Sequence, residues 1–383
     1  MQKKYLMTPG PTSVPTDVLL AQARDMIHHR APAYTEVLRE ITARLKKVLG
    51  TEGDVVIFGS SGTGAMESSV VNLFSPGDKV VVISVGYFGD RYAAIAEEFG
   101  LQVIKLSYPR GSPADPLDLE KTLESHPETK GVFITHLDTS TGVENDLEAF
   151  GRLTNPRNVA LIVDSISGLG SSPLYLDAWN LDVVVSGSQK AFMAPPGIAF
   201  AGISSRAWNM VERSRLPKFY WSYQKSKDAY NKPIPQNPFT PPVSLLVAFN
   251  EALKMVEKEG LENMWSRHRL LAEATRAGLK AMGLKLFAKG GWGNGVTSVL
   301  PPEGVDGGKI VRMMREEFGI TIAGGQGDLK GKIFRIGHLG YVDRLDIILT
   351  LAALEMTLAR LGVEVELGSG VRGTQEVFLK AEG

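Results

Sequence analysis

Leu181-Asp182-Val183-Val184-Val185-Ser186-Gly187-Ser188-Gln189-Lys190 is the stretch on which the reading of this chain turns. Three β-branched residues in a row, with no polar alternation, describe a strand buried on both faces. Small residues end the strand, and a lysine follows at once. In an open α/β sheet, ligands bind outside the carboxyl ends of the strands. A lysine held there and partly desolvated has its pKa lowered towards neutrality, and its amine then attacks carbonyl carbon.

The same kind of run recurs on the N-terminal side, at residues 55–58, 80–83, 103–106, 132–135 and 161–163, each bounded by Gly, Pro, Asp or Ser. All read as buried strands. Helical stretches lie between them: residues 91–99 and 117–124, and before the first strand residues 34–49, where Val37, Leu38, Ile41, Leu45 and Val48 recur at helical spacing. That order predicts an α/β fold with a mainly parallel sheet between helices. Residues 225–242 are polar and rich in Pro, Asn and Lys, and read as a loop excursion. A helix follows over 243–259. Beyond Trp265 the expected elements are a helix, strands near 284–287 and 296–300, a helix over 309–317, a strand over 333–336 and a helix over 343–361. The tail after Leu367 opens Gly-rich and is expected to pack weakly. Three parts are therefore expected: an N-terminal segment (1–20), a large domain (21–255) and a smaller C-terminal α/β domain (256–383).

Composition excludes several classes. The chain has 383 residues, with 42 Lys plus Arg against 42 Asp plus Glu. A net charge of zero gives no reason to expect nucleic acid or an anionic membrane as partner. There is no cysteine, hence no disulfide, thiolate metal site or cysteine nucleophile. The six histidines show no metal-ligand spacing, so no metal is expected. Met1-Gln2-Lys3-Lys4-Tyr5-Leu6 opens no apolar signal region, and no apolar run approaches the roughly 18–20 residues of a membrane span. The expected compartment is the cytoplasm.

Two further segments narrow the chemistry. Asp164 closes the apolar run Val159-Ala160-Leu161-Ile162-Val163. A carboxylate at that strand end faces the same region as Lys190, and pyridoxal 5'-phosphate (PLP) needs an acid beside its pyridine nitrogen to keep the ring an electron sink. Gly59-Ser60-Ser61-Gly62-Thr63-Gly64 follows the first strand and opens a helix. Glycines let backbone approach a phosphate, and the N–H groups of a helix N-terminus bind it. The segment is neither a P-loop nor a complete dinucleotide fingerprint, which argues against a nucleotide-binding oxidoreductase.

Together these segments resemble the class V aminotransferases of PLP fold type I, in particular the alanine–glyoxylate and serine–pyruvate (serine–glyoxylate) aminotransferases. The resemblance runs from Thr8-Pro9-Gly10-Pro11-Thr12 to the region of Arg335 and is most specific at Val163-Asp164-Ser165 and Ser186-Gly187-Ser188-Gln189-Lys190. It implies a large domain with a seven-stranded-type sheet and a smaller C-terminal domain. It further implies that Lys190 is the Schiff-base lysine and proton shuttle, with Asp164 the partner of the pyridine nitrogen. Ile166 would lie against the ring and Phe88, in Gly86-Tyr87-Phe88-Gly89-Asp90-Arg91, would stack on it. Ser61, Gly62, Thr63 and Gln189 would hold the phosphate, and Thr139 the ring hydroxyl region. Thr240, in Phe239-Thr240-Pro241-Pro242, matches a phosphate contact donated by the other subunit of a homodimer. Arg335, in Phe334-Arg335-Ile336-Gly337, matches the arginine that clamps the substrate carboxylate through two parallel bonds.

Two positions depart from the family pattern. Asn237 stands where a tyrosine is frequent, and Thr63 where some members have histidine. The implied reaction is ping-pong transamination between a small amino acid, alanine or serine, and glyoxylate or pyruvate. The alternatives are 2-aminoethylphosphonate–pyruvate and aspartate aminotransferases. Cysteine desulfurases share the pattern but need a cysteine, which this chain lacks. His28-His29-Arg30 reads as a solvated helix end, and Phe219-Tyr220-Trp221 either reaches the site or joins the core.

Overall fold

The β-branched runs form one sheet. The computed structural model describes residues 2–381, so the outermost ends of the expected first and last segments lie outside it. The sheet comprises β1 (Asp54–Phe58), β2 (Lys79–Ser84), β3 (Gln102–Ser107), β4 (Gly131–Thr135), β5 (Ala160–Asp164), β6 (Val183–Gly187) and β7 (Ala199–Ile203). Their order across the sheet is β1-β7-β6-β5-β4-β2-β3. All pairings are parallel except those of β7, which runs antiparallel between β1 and β6.

Side chains alternate between two faces, and each face has its own core. Val81, Ile83, Val132, Ile134, Leu161 and Val163 pack with helices α1 (Pro32–Leu49) and α6 (Val243–Glu259). Val80, Val82, Phe133, Ile162, Val183 and Val185 pack with α2 (Gly62–Leu73) and α3 (Tyr87–Glu98). Helix α4 (Pro116–Ser125) adds Leu119 and Leu123 to the first of these cores.

Four expectations need correction. β3 is an edge strand whose residues are exposed or half-buried; it pairs only with β2, so the run at 103–106 is not a buried strand. The excursion at 225–242 begins as helix α5 (Tyr223–Tyr230) and is loop only afterwards. The strand near 284–287 reduces to a single bridge, Leu286 to Val299. The tail does not pack weakly. Helix α10 (Ser369–Lys380) buries Thr374 and Phe378 against α7 (Leu261–Ala281) and α9 (Arg344–Arg360). The glycines there serve close approach rather than looseness: a Cβ at Gly278 would lie 2.7 Å from Gly370 O, and one at Gly370 2.6 Å from Met282 Cε. The Glu355 carboxylate accepts the N–H groups of Gly368 and Gly370 at 2.8 and 2.6 Å, satisfying the start of α10.

A second sheet, order β8-β10-β9, is antiparallel and consists of β8 (Val296–Val299), β9 (Ala323–Gly324) and β10 (Phe334–Gly337). With α7, α8 (Gly307–Phe318), α9 and α10 it encloses a third core that includes Leu271, Ile310, Phe334, Leu351 and Phe378. Met7 belongs to that core, and Tyr5–Leu6 pairs with Ile320–Thr321. The N-terminal segment is thus laid across the C-terminal lobe before it turns towards the large sheet, where Thr12 N–H donates to Gln189 O at 3.1 Å.

Candidate active site

Strands β1, β2, β4, β5 and β6 end on the same edge of the large sheet, and the turns after them converge. Lys190 follows the buried β6 and is 8% exposed. Its backbone is strapped by Thr12, whose hydroxyl donates to Lys190 O at 2.9 Å. Two glycines make room for it. A Cβ at Gly10 would lie 2.7 Å from Lys190 Cε, and one at Gly340, already at φ +80°, would lie 2.8 Å from Lys190 O. Lys190 Nζ donates to Ser167 Oγ at 2.8 Å and to Thr139 Oγ1 at 3.0 Å. Burial disfavours the ammonium and brings its pKa down to about 8; Asp164 opposes that and Arg335 adds to it.

Asp164 ends β5 and is 2% exposed. Burial pushes its carboxyl up to about 6, against the Ile166 N–H it accepts at 3.0 Å and the nearby Lys190. An acid and an amine thus share one enclosure, each shifted towards its neutral form.

Ser61 precedes α2, whose first turn carries Gly62, Thr63 and Gly64. A Cβ at Gly62 would meet Ile166 Cδ1 at 2.4 Å, so only glycine lets this turn close on the β5 turn. Phe88 stands in the first turn of α3. Its N–H donates to the buried carboxylate of Asp138 at 3.1 Å, and Asp138 also accepts from the N–H and hydroxyl of Ser140. Lys190 Nζ lies 5.7 Å from the Phe88 ring centre.

Of the residues singled out in the sequence, Ser61, Gly62, Thr63, Phe88, Thr139, Asp164, Ile166, Gln189 and Lys190 line one cavity of about 300 Å³. Arg335 does not line it but adjoins it. It is 5% exposed, its Nη1 donates to Thr139 O at 2.6 Å, and its Nε and Nη2 donate to Gly324 O at 2.9 and 2.7 Å. Three of its five N–H donors are thereby directed at backbone and a fourth, on Nη1, at Gln326 Oε1 at 3.4 Å, so a ligand gains two only by displacing Gln326. Thr240 lies apart, exposed, in a shallow hollow with Gly59, Tyr220 and Phe239. Asn237 is bonded to Tyr34 of the same chain. His28 and Arg30 are exposed and outside the cavity. Trp221 packs on Phe58, while Phe219 and Tyr220 are exposed.

Sequence reasoning missed Ser167, Asp138, Gly10 and Arg91. The hydroxyl of Ser167 bridges Lys190 and Thr139; its place three residues after Asp164 was the available signal. Gly10 carried a weaker one, inside Thr8-Pro9-Gly10-Pro11-Thr12. Among the described residues no group of His, Asp and Glu is arranged to hold a metal ion, and no helix is long and apolar enough to cross a membrane. A larger cavity of about 580 Å³ opens at the opposite edge of the sheet. In its wall Arg206 is paired with Asp182 and Lys130 with Asp78, and none of the groups above reaches it.

The family described as "Aminotransferase class-V" matches residues 5–330. The chain is 43% identical over 99% of both chains to a protein of Synechococcus sp. named soluble hydrogenase, small subunit. It is 37% identical to the L-aspartate–glyoxylate aminotransferase of Paracoccus denitrificans, over 97% of this chain and 96% of that one. The crystal structure of pyridoxamine–pyruvate aminotransferase from Mesorhizobium loti superposes with a TM-score of 0.95 at 29% identity, covering 100% of this chain and 98% of that one.

Proposed function

Because this chain belongs to the class V aminotransferases and is a PLP-dependent enzyme, we propose that it transfers the amino group of a small amino acid, alanine or serine, to glyoxylate or pyruvate, with Lys190 and Asp164 as its catalytic residues. The observation that carries the reading is the convergence of Lys190, Asp164 and the Ser61–Thr63 turn on one cavity.

The cavity suits PLP. Its volume lies at the lower end of the roughly 300–1,000 Å³ usual for small-molecule sites. Gly62 lets the Ser61–Thr63 turn close on Ile166 at the cavity wall, and the Gln189 amide, whose Oε1 is buried without a partner, lies in the same wall with an NH2 group that would donate to a phosphate oxygen. Ser61, Gly62, Thr63 and Gln189 would hold the phosphate, Phe88 and Ile166 the ring faces, Thr139 the ring hydroxyl and Asp164 the ring nitrogen. When bound, PLP supplies a carbonyl for the amino group and an electron sink for the Cα carbanion.

The chain's own residues do the rest. Lys190, with a pKa of about 8, presents an appreciable fraction of free amine near neutral pH. Once released, that amine would take the proton from substrate Cα as general base and deliver it, as general acid, to the cofactor's C4′ carbon. Ser167 and Thr139 hold it in place between these events. Asp164 keeps a proton on the ring nitrogen. The uncommitted Nη2 N–H of Arg335, joined by the Nη1 N–H once it leaves Gln326, receives the substrate carboxylate, which orients the Cα–H towards Lys190.

The enzyme is further read as a homodimer. Thr240 is exposed beside the stacked rings of Tyr220 and Phe239, and Phe219 stacks on Phe239 while 69% exposed. Such an aromatic patch fits burial by a second copy. A fully active monomer in sedimentation at micromolar concentration would refute this.

A second reading, with aspartate as donor, is favoured by the Paracoccus denitrificans relative. The deciding experiment exposes the PLP-loaded protein to single donors without acceptor and measures oxo acid released per site. Alanine and serine should each give about one equivalent; release from aspartate or 2-aminoethylphosphonate alone would replace the first reading.

A further inference from the structure

We propose that Arg91 is an additional cofactor-binding residue, its guanidinium receiving the anionic group that enters beside the Ser61–Thr63 turn, namely the phosphate of PLP. The inference deepens the reading above and rests on it. Arg91 sits one helical turn after Phe88 on α3, so the two side chains share a face. Its Cζ lies 4.8 Å from the Phe88 ring centre and 5.3 Å from that of Tyr87. Nη1 donates to Thr63 Oγ1, in the first turn of α2, at 3.0 Å. The side chain lines the cavity.

Arg91 lines the cavity without a carboxylate at ion-pair distance. Among the described residues it makes no ion pair, whereas Arg110 is held by Asp90 and Asp328, and Lys105 by Asp90. Asp90, the carboxylate next to it in sequence, is thus committed elsewhere, and it also accepts the Ser84 hydroxyl. One of the five N–H donors of Arg91 is used, by Thr63, and four remain. A guanidinium left unpaired in a half-enclosed site is a standing demand for an oxyanion, and it binds phosphate or carboxylate through charge-assisted bonds.

The neighbours decide where that anion lies. The N–H groups at the start of α2 favour negative charge there. Asp164 repels an anion from its own side of the cavity. A flat ligand with a phosphate at one end and a basic ring nitrogen at the other is therefore oriented by charge alone, phosphate to Arg91 and nitrogen to Asp164. The competing source of the anion is the second carboxylate of an acidic donor such as aspartate.

The test uses the full chain stripped of PLP and compares binding of PLP with binding of pyridoxal, which lacks the phosphate, by the absorbance of the Lys190-linked cofactor. Arg91→Gln should weaken PLP by about ten- to a hundredfold, the loss of a charged hydrogen bond, and leave pyridoxal within about twofold. Arg91→Lys, which keeps the charge but not the fork, should fall between Gln and wild type for PLP alone; it also serves should the Gln variant fail to fold. Equal weakening of PLP and pyridoxal would overturn the proposal in favour of a packing role against Phe88. Unchanged PLP binding with a raised KM for aspartate and not alanine would overturn it in favour of the substrate carboxylate. A wild-type chain that takes up neither form would overturn the underlying PLP assignment of this cavity as well, which the other outcomes leave standing.

Discussion

Lys190 should titrate far below an ordinary lysine in the protein stripped of PLP. Burial brings its ammonium from 10.5 down to about 8. At pH ~7.5 that leaves roughly a quarter of Lys190 as free amine, against about one part in a thousand for an unperturbed side chain, a gain of roughly two hundredfold in nucleophilic species. The assay is competitive acylation by a brief pulse of anhydride from about pH 6 to about pH 11, with each lysine read by peptide mass spectrometry. The midpoint, not the absolute rate, is the observable, because access to a residue 8% exposed also limits the rate. Lys190 should reach its plateau near pH 8 while an ordinary lysine is still rising. The causes can be separated. Asp164 opposes the downward shift and Arg335 adds to it, so Asp164→Asn should lower the midpoint further and Arg335→Met should raise it. Because the folded value lies below the unfolded one, the unfolded chain holds the extra proton between about pH 8 and 10.5, and this group's contribution to stability rises with pH across that window. A Lys190 midpoint near 10.5, or an upward move in Asp164→Asn, would refute the reasoning.

Three other outcomes follow from particular contacts. Asp164→Ala should cost turnover roughly a hundredfold or more while retaining most PLP affinity, since the phosphate turn is untouched; wild-type turnover would remove the ring-nitrogen assignment. Arg335→Lys replaces a planar fork by a point charge, so steady-state kinetics should show KM for amino acids raised about tenfold or more with PLP binding intact. Phe378→Ala, in the tail helix, should lower stability by about 3 kcal/mol in denaturant titration, the cost of emptying a buried aromatic site; an unchanged midpoint would mean that α10 does not belong to the third core.

The parts of this molecule that could be read from the chain are those in which one residue type dictates one structure. Val183-Val184-Val185 has little option but a buried strand, and a lysine placed directly after it must emerge at the strand's carboxyl end. Asp164 is positioned by the same rule one strand away. What escaped reading depended on neighbours distant in sequence. β7, Ala199-Phe200-Ala201-Gly202-Ile203, has small residues where its neighbours have β-branched ones. A Cβ at Gly202 would meet Leu49 Cδ1 at 2.8 Å, so the strand is weak by propensity and formed by packing. β3 looked buried because local pattern cannot tell a sheet edge from its centre. The tail looked loose because glycine signals freedom locally and close helix contact globally. The same holds at the site. Ser167 and Gly10 are unremarkable in the chain, yet one holds the Lys190 amine and the other gives its stem room. Arg91 carries no more signal than any surface arginine until the fold sets it in the cavity wall without an ion pair. The sequence names the groups that react; which residues hold and orient them emerges only when turns from five strands are brought to one edge.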